Sequence, residues 1–225
     1  MDYDEQYSEV EALFGTSPER SLERFSDRLT PGSTVLDIGA GQGRNALFLA
    51  RQGFTVHALE PSGVAAAELT LIAEAEALSL EVFTTTFESF VPPVDTYAGI
   101  LIFGLMPDLG RDAIHDLALK IDRWSGPETL VWLTGFTTED PAYPQHRASW
   151  TAVGTNSFLS PKGRIRTYLE PGEILHLFGG LSPIHQWEGL GPEHRHGDGP
   201  PERHGLFEVV LQRASSEGSS RRPGP

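Results

Sequence analysis

Three glycines at alternate positions, Gly39, Gly41 and Gly43, stand between the β-branched run TVLDI (34–38) and the helical stretch RNALFLAR (44–51). Glycines spaced this closely let the main chain take dihedrals closed to other residues and approach a ligand at backbone distance. A strand that runs through such a loop straight into a helix opens a βαβ unit, which commits this part of the chain to a parallel sheet. The next strand, FTVHALE, ends at Glu60, 60 − 39 = 21 residues past the first glycine. A carboxylate at that place can accept both hydroxyls of a ribose.

Strand and helix signals go on alternating. RNALFLARQG is closed by Gly53 as a natural C-cap, and from Pro61 a second helix is expected. Its apolar stripe reads as Val64, Ala67, Leu71, Ala75 and Leu78, with Pro61 in the first turn. LEVFTTTF and TYAGILIFGL read as strands, the second apolar enough to be buried on both faces. Ile114, Leu117, Ala118 and Ile121 mark another helix, ETLVWLTGF another buried strand, and PGEILHLFGG a short helix opened by Pro171. SPIHQWEGL and GLFEVVLQR read as an antiparallel hairpin around the Gly-, Pro- and His-rich segment 191–205. The expected fold class is therefore α/β: a doubly wound, mainly parallel, seven-stranded Rossmann-like sheet with a C-terminal antiparallel hairpin. One domain is expected over 1–213, with 214–225, ASSEGSSRRPGP, as a disordered tail. Ligands of such sheets bind at the C-terminal strand ends where the strand order reverses, which gathers the Gly39 loop, Glu60 and the turns after Phe83 and Phe103 around one crevice.

Charge narrows the ligand. A dinucleotide fingerprint would place glycine or alanine at position 44, where this chain has Arg44. Asp37, two residues before the first glycine, adds a second carboxylate to the loop. That carboxylate repels a pyrophosphate and attracts a ligand bearing an ammonium and a sulfonium. S-adenosylmethionine (SAM) carries both cations and no phosphate, so SAM is expected rather than NAD. The chain as a whole has a net charge of −14, which repels phosphate backbones and makes nucleic acid an unexpected partner. It has no cysteine, hence no disulfide, thiolate metal site or thiol nucleophile. No apolar run approaches the ~20 residues of a membrane span. The acidic, polar start MDYDEQYSEVEALFG is unlike a secretory or transit signal, and a cytoplasmic location is expected.

The stretch LDIGAGQGRNALFLARQGFTVHALEPS (36–62) resembles the cofactor motif of class I SAM-dependent methyltransferases. Its GRN followed by LA..GF.V.A.E.S is most similar to the branch of tellurite-resistance and thiopurine methyltransferase-type enzymes, which act on small molecules. The resemblance implies methyl transfer from SAM to a small-molecule acceptor with release of S-adenosylhomocysteine. It also implies a cofactor site. Asp37 would lie near the methionine amino group, and Gly39, Gly41 and Gly43 along the cofactor, with Arg44 and Asn45 beside them. Glu60 would hold the ribose, flanked by Pro61 and Ser62, with Thr86 and Phe87 at the adenine. Phe103, Gly104 and Leu105 would stand by the methionyl chain and methyl group. Tyr7 and Gly15 match a leading segment that closes over the cofactor.

On the acceptor side the residues leave alternatives open. Asp108, after the fourth strand, could bind a cationic acceptor or take a proton, or could simply initiate the next helix. The (Asn/Asp)-Pro-Pro-(Tyr/Phe) motif of DNA adenine and protein glutamine methyltransferases is missing there. Segment 137–168, with Tyr143, His146, Arg147 and Trp150, is either an acceptor lid, His146 its candidate base, or a surface loop tied down by Trp150. In the His-rich segment, His194, His196, Asp198 and His204 could grip a metal, supply a base (His196 is the candidate) or merely populate a turn. No metal site is expected. His57 and His185 read as satisfied structural histidines. Two other functions stay open: a SAM-binding sensor or partner subunit without transferase activity, and a metal- or metalloid-detoxifying protein built on the His-rich hairpin. Acceptor atom and oligomeric state are not written in the sequence.

Overall fold

Residues 3–10, 12–193 and 201–215 are described in a computed structural model. Strands β1 (Thr34–Ile38), β2 (Thr55–Leu59), β3 (Leu80–Phe83), β4 (Tyr97–Ile102) and β5 (Ser125–Thr137) lie in the order β3-β2-β1-β4-β5, each pair parallel. β10 (Gly205–Gln212) joins β5 antiparallel and in turn pairs antiparallel with β9 (Ser182–Leu190). These seven are the strands read from the sequence. Three short ones were not: β6 (Thr151–Gly154), β7 (Ser157–Leu159) and β8 (Ile165–Leu169). They pair antiparallel, and β8 then extends the end of β5 in parallel through Phe136↔Tyr168 and Thr137↔Leu169.

Side chains alternate between the two faces of a strand, so this sheet carries two cores. Leu36, Ile38, Ile100 and Ile102 pack under α5 (Arg111–Trp124) and α7 (Glu173–Leu177), which contribute Ile114, Leu117, Ile121 and Ile174. Val35, Val56, Ala58 and Trp132 pack on the other face under α2 (Arg20–Phe25) and α3 (Arg44–Arg51). The Trp132 indole N–H donates to Ser21 O at 3.2 Å, so the largest of these side chains is buried with its polar end satisfied. The strand order turns back between β1 and β4, whose C-terminal ends carry Gly39 and Phe103. The crevice of a doubly wound sheet opens at this switch.

Three sequence expectations are corrected. α4 spans Gly63–Ala75 with Ser62 as its N-cap, the hydroxyl accepting from Ala65 N at 3.2 Å, so Pro61 lies outside the helix. Its buried face is Ala65, Ala66, Leu69 and Ala73, whereas Val64 and Leu71 of the expected stripe are exposed. Apolar residues fall on every side of this helix, and periodicity alone had no means of choosing the face. Leu69 is chosen because it fills the space over Gly43, where a Cβ would lie 2.2 Å from Leu69 Cδ1. α7 likewise begins at Glu173, behind Gly172, rather than at Pro171. Segment 137–168 is no loop: α6 (Tyr143–Ser149) and strands β6 to β8 fill most of it. Strands of three to five residues are too short for an alternation to register.

Among the described residues no helix is long and apolar enough to cross a membrane. Of the expected tail, residues 216–225 lie outside the described residues, as do 194–200 with His194, His196 and Asp198.

Candidate functional site

Past Ile38 the chain turns through Gly39, Gly41 and Gly43 at φ of 76°, 56° and 86°, all in the left-handed region that glycine alone enters at little cost. Leu59 O, at the end of β2, accepts the amides of Gly39 and Ala40 at 2.9 and 3.0 Å, pinning the turn to the neighbouring strand. Glu60 then reaches across the loop. Its Oε2 accepts from Gly41 N at 2.7 Å and its Oε1 from Ser62 N at 2.8 Å. The loop frames a cavity of about 100 Å³, open to solvent and lined by Tyr7, Phe14, Gly15, residues 39–45, Phe103 and Gly104.

Beneath the loop lies Asp37, 2% exposed, with Oδ2 unpartnered. Burial raises its pKa to about 7; the Arg44 guanidinium opposes the shift, Glu60 adds to it and the Ala46 amide opposes it. Glu60, 5% exposed, is also raised by burial, against the amides of Ser62 and Gly41 and with Asp4 adding. Among the described residues that line the cavity the one cation is Arg44, which is ion-paired to Glu19 and donates to Ser17 O at 3.4 Å. Two buried carboxylates, Asp37 and Glu60, thus stand behind the loop rather than in the cavity lining; their charge disfavours a phosphate and favours a cation.

The N-terminal segment crosses this loop, and Gln42 and Ser62 fasten it. Gln42 Oε1 accepts from Leu13 N at 2.8 Å, while its Nε2 donates to Val10 O at 3.2 Å and to Glu68 Oε2 at 3.0 Å. Ser62 Oγ donates to Asp4 in α1 (Tyr3–Glu9). Phe14 stands edge-on to Tyr7, centroids 6.5 Å apart, beside the cavity. Tyr7 is buried, and its hydroxyl would lie 3.0 Å from a Cβ at position 41. Arg44 and Asn45 line the cavity, but their polar ends face the strap: Asn45 Oδ1 accepts from Glu19 N at 2.9 Å. Gln42 occupies an x position between glycines, and its strap partners are 29 and 32 residues away, so no local signal could have found it.

Phe103 and Gly104 line the cavity, and Leu105 packs 3.6 Å from where a Gly39 Cβ would be. Gly104 N donates to Thr134 Oγ1 at 3.0 Å, tying the end of β4 to β5. Glu60, Pro61 and Ser62 follow β2 just outside the lining. Phe87 is packed in the core with Leu59 and Ile100, and Thr86 beside it is exposed.

The acceptor-side candidates separate. Asp108 does not initiate α5, whose N-cap is Gly110. It accepts from Arg166 at 2.6 Å and Arg164 at 3.3 Å, so two guanidinia hold its charge and clamp β8 to the turn after β4. His146 Nδ1 lies 2.7 Å from the Tyr168 hydroxyl, and its ring stacks on Trp150 at 3.8 Å. Burial lowers the His146 pKa, with Arg166 adding and Asp140 opposing, so the imidazole is neutral at pH 7. His196 falls outside the described residues. His57 bonds the Tyr97 hydroxyl at 3.0 Å and His185 bonds Glu208 at 2.9 Å, both satisfied as expected. Among the described residues no group of three His, Asp or Glu side chains converges on a metal position.

Comparison with known proteins agrees with this geometry. No curated protein matches the sequence. A SAM-dependent methyltransferase from Methanosarcina mazei superposes with a TM-score of 0.71 at 16% identity, covering 88% of this chain and 99% of that one. TehB from Haemophilus influenzae gives 0.68 at 16% identity, covering 87% of this chain and 62% of its own. The 1,6-didemethyltoxoflavin-N1-methyltransferase of Burkholderia thailandensis, solved with 1,6-didemethyltoxoflavin and S-adenosylhomocysteine, gives 0.63 at 14% identity over 88% and 80% of the two chains. At such identities the likeness is one of fold. The family described as "Methyltransferase domain" matches residues 9–204, from the strap through the glycine loop to the start of β10, and the chain belongs to that family.

Proposed function

We propose that this protein transfers a methyl group from SAM to a small-molecule acceptor, releasing S-adenosylhomocysteine. The carrying observation is Asp37: a buried carboxylate with an unpartnered oxygen, under a glycine loop whose one lining cation is already ion-paired. Those residues suit a ligand with an ammonium and no phosphate. SAM, when bound, supplies an activated methyl on a sulfonium.

Within this reading Asp37 accepts from the ammonium, and the main chain of residues 39–43 follows the methionyl part. Glu60 keeps lone pairs beyond those used by Gly41 and Ser62, and these receive ribose hydroxyls. Tyr7 and Phe14 shield the cavity from water, while Phe103, Gly104 and Leu105 border its reactive end. α6 and β6 to β8 form the acceptor wall, with Tyr143, His146 and Trp150 as aromatic surface and the Asp108 ion pairs fastening it to the turn after β4. Holding acceptor and methyl in line contributes roughly 7–11 kcal/mol of barrier lowering. The toxoflavin enzyme, named for methylating one nitrogen of a small heterocycle, supports a small acceptor.

Calorimetric titration with SAM and S-adenosylhomocysteine tests this reading. The wild type is expected to bind both, and Asp37→Asn and Glu60→Gln to bind at least tenfold more weakly. A wild type that binds neither overturns it.

A further inference from the structure

β9 (Ser182–Leu190) is the outermost strand at its end of the main sheet. Its neighbour β10 is mostly buried, yet none of the nine residues of β9 is, and Trp187 and Leu190 are 42% and 46% exposed. The opposite end of the sheet closes on β3, only four residues long. Edge strands are kept from pairing with other chains by shortness, lysine, proline or bulges. β9 has such devices only at its start, where Pro183 stands and the register with β10 shifts between Val210 and Leu211. From His185 to Leu190, HQWEGL, no lysine, proline or register shift interrupts it.

Gly191 N donates to His204 O at 2.8 Å, which fixes the direction of the main-chain groups along the strand. Antiparallel bonding alternates from there. His185, Trp187 and Gly189 turn N–H and C=O toward β10, and Gln186, Glu188 and Leu190 turn theirs away. Among the described residues no strand lies on that side. The outward row of donors and acceptors has the spacing of a sheet and matches a second antiparallel strand of the same sequence.

Side chains choose the register. Two copies of β9 match their outward groups when centred on residue 186, 187 or 188. Centred on Glu188, two carboxylates face each other directly, which is unfavourable. Centred on Gln186, the apolar Ile184 faces a carboxylate. Centred on Trp187, the indole faces the partner's Trp187, Gln186 faces the partner's Glu188 and Ile184 faces the partner's Leu190. Aromatic, amide–carboxylate and apolar pairs of this kind are the favourable ones across strands. The Trp187 ring leans along its own strand over Gly189, where a Cβ would lie 3.3 Å from Cζ2.

We propose that β9 pairs with β9 of a second copy of this chain, antiparallel about a twofold axis through Trp187, joining two sheets into one. The contact is isologous, so it closes at a dimer. It uses no residue of the cofactor cavity. Each copy carries a net charge of −14, so the copies repel at long range and added salt strengthens the pairing.

Size-exclusion chromatography with light scattering on the full chain is expected to show a species of twice the chain mass. It should dissociate on dilution, and at higher salt survive greater dilution. Amide exchange gives the readout within the strand. The N–H groups of Gln186, Glu188 and Leu190 should exchange at least tenfold more slowly in the dimer than after dilution, while those of Trp187 and Gly189, bonded to β10 in both states, should not change. Gln186→Pro removes an outward N–H and no bond to β10, and is expected to be monomeric with a native circular dichroism spectrum. Trp187→Glu sets two carboxylates opposite each other and should give a monomer by a different route. The chain has no cysteine, so an introduced one reads the register. Under mild oxidation Trp187→Cys should cross-link to a dimer, and Gln186→Cys, which faces the partner's Glu188, should not. A wild type monomeric at every concentration overturns the proposal, including one in which the outward amides stay protected on dilution because this chain covers its own edge. So do Gln186→Pro and Trp187→Glu variants that still dimerise, or equal cross-linking of the two cysteine variants.

Discussion

Asp37 is where a single side chain sets both stability and binding. Its folded pKa of about 7 stands above the ordinary 3.8 because burial disfavours the charged form. The fold therefore binds this proton more tightly than the unfolded chain does. Stability from this group is full below the unfolded pKa and is lost as pH rises through about 7, by at most roughly 4 kcal/mol. Asp37→Asn is expected to raise the melting temperature of the ligand-free protein, more at pH 8 than at pH 5, while weakening SAM. A cationic group beside Asp37 reverses the preference, so SAM binding at pH 6 should release a proton, seen as a dependence of the calorimetric enthalpy on buffer ionisation. Equal enthalpies across buffers would argue that no cation reaches Asp37. At this scale the sequence showed what local geometry demands: the glycines, the flanking acids, the satisfied His57 and His185. It could not show Asp108 paired with Arg164 and Arg166, 56 and 58 residues downstream, because an ion pair has no period.

Between elements, the contact of Gly43 with Leu69 locks the glycine loop to α4. Gly43→Ala places a methyl 2.2 Å from Leu69 Cδ1 and forces φ of 86° on a residue with a Cβ. A loss of about 2–4 kcal/mol is expected from overpacking and backbone strain together. Leu69→Ala should cost about 2–5 kcal/mol by itself. The double variant should be more stable than the sum of the two losses predicts, by urea denaturation, because the second change removes the clash made by the first. The strap is tested similarly. Gln42→Ala deletes the hydrogen bonds to Val10 and Leu13, so amide exchange over residues 5–15 should quicken at least tenfold while the central strands keep their protection. The central strands were legible as apolar runs buried on both faces, and the α5 stripe because one face of that helix is buried. The face of α4 was not, since only Leu69 meeting Gly43 chooses it.

For the whole molecule, the seven strands of the main sheet and the crevice at its switch point follow from the alternation of periods in the sequence. The unit of α6 and β6 to β8 does not, being assembled from pieces each shorter than the pattern that would reveal it. β10 pairs with β5 over residues 130–136 and with β9 on its other side, so it is an interior strand although it follows every other described strand in the chain. A protein ending before Gly205 leaves the β5 edge bare, and is expected to elute as aggregates in size-exclusion chromatography rather than as a smaller folded species. The same arrangement sets a timetable during synthesis. The glycine loop, Glu60 and the strap all leave the ribosome early, long before the strand that completes the sheet. A nascent chain can thus assemble its cofactor loop while the sheet beside it is still open, and the fold closes only when β10 threads between β5 and β9.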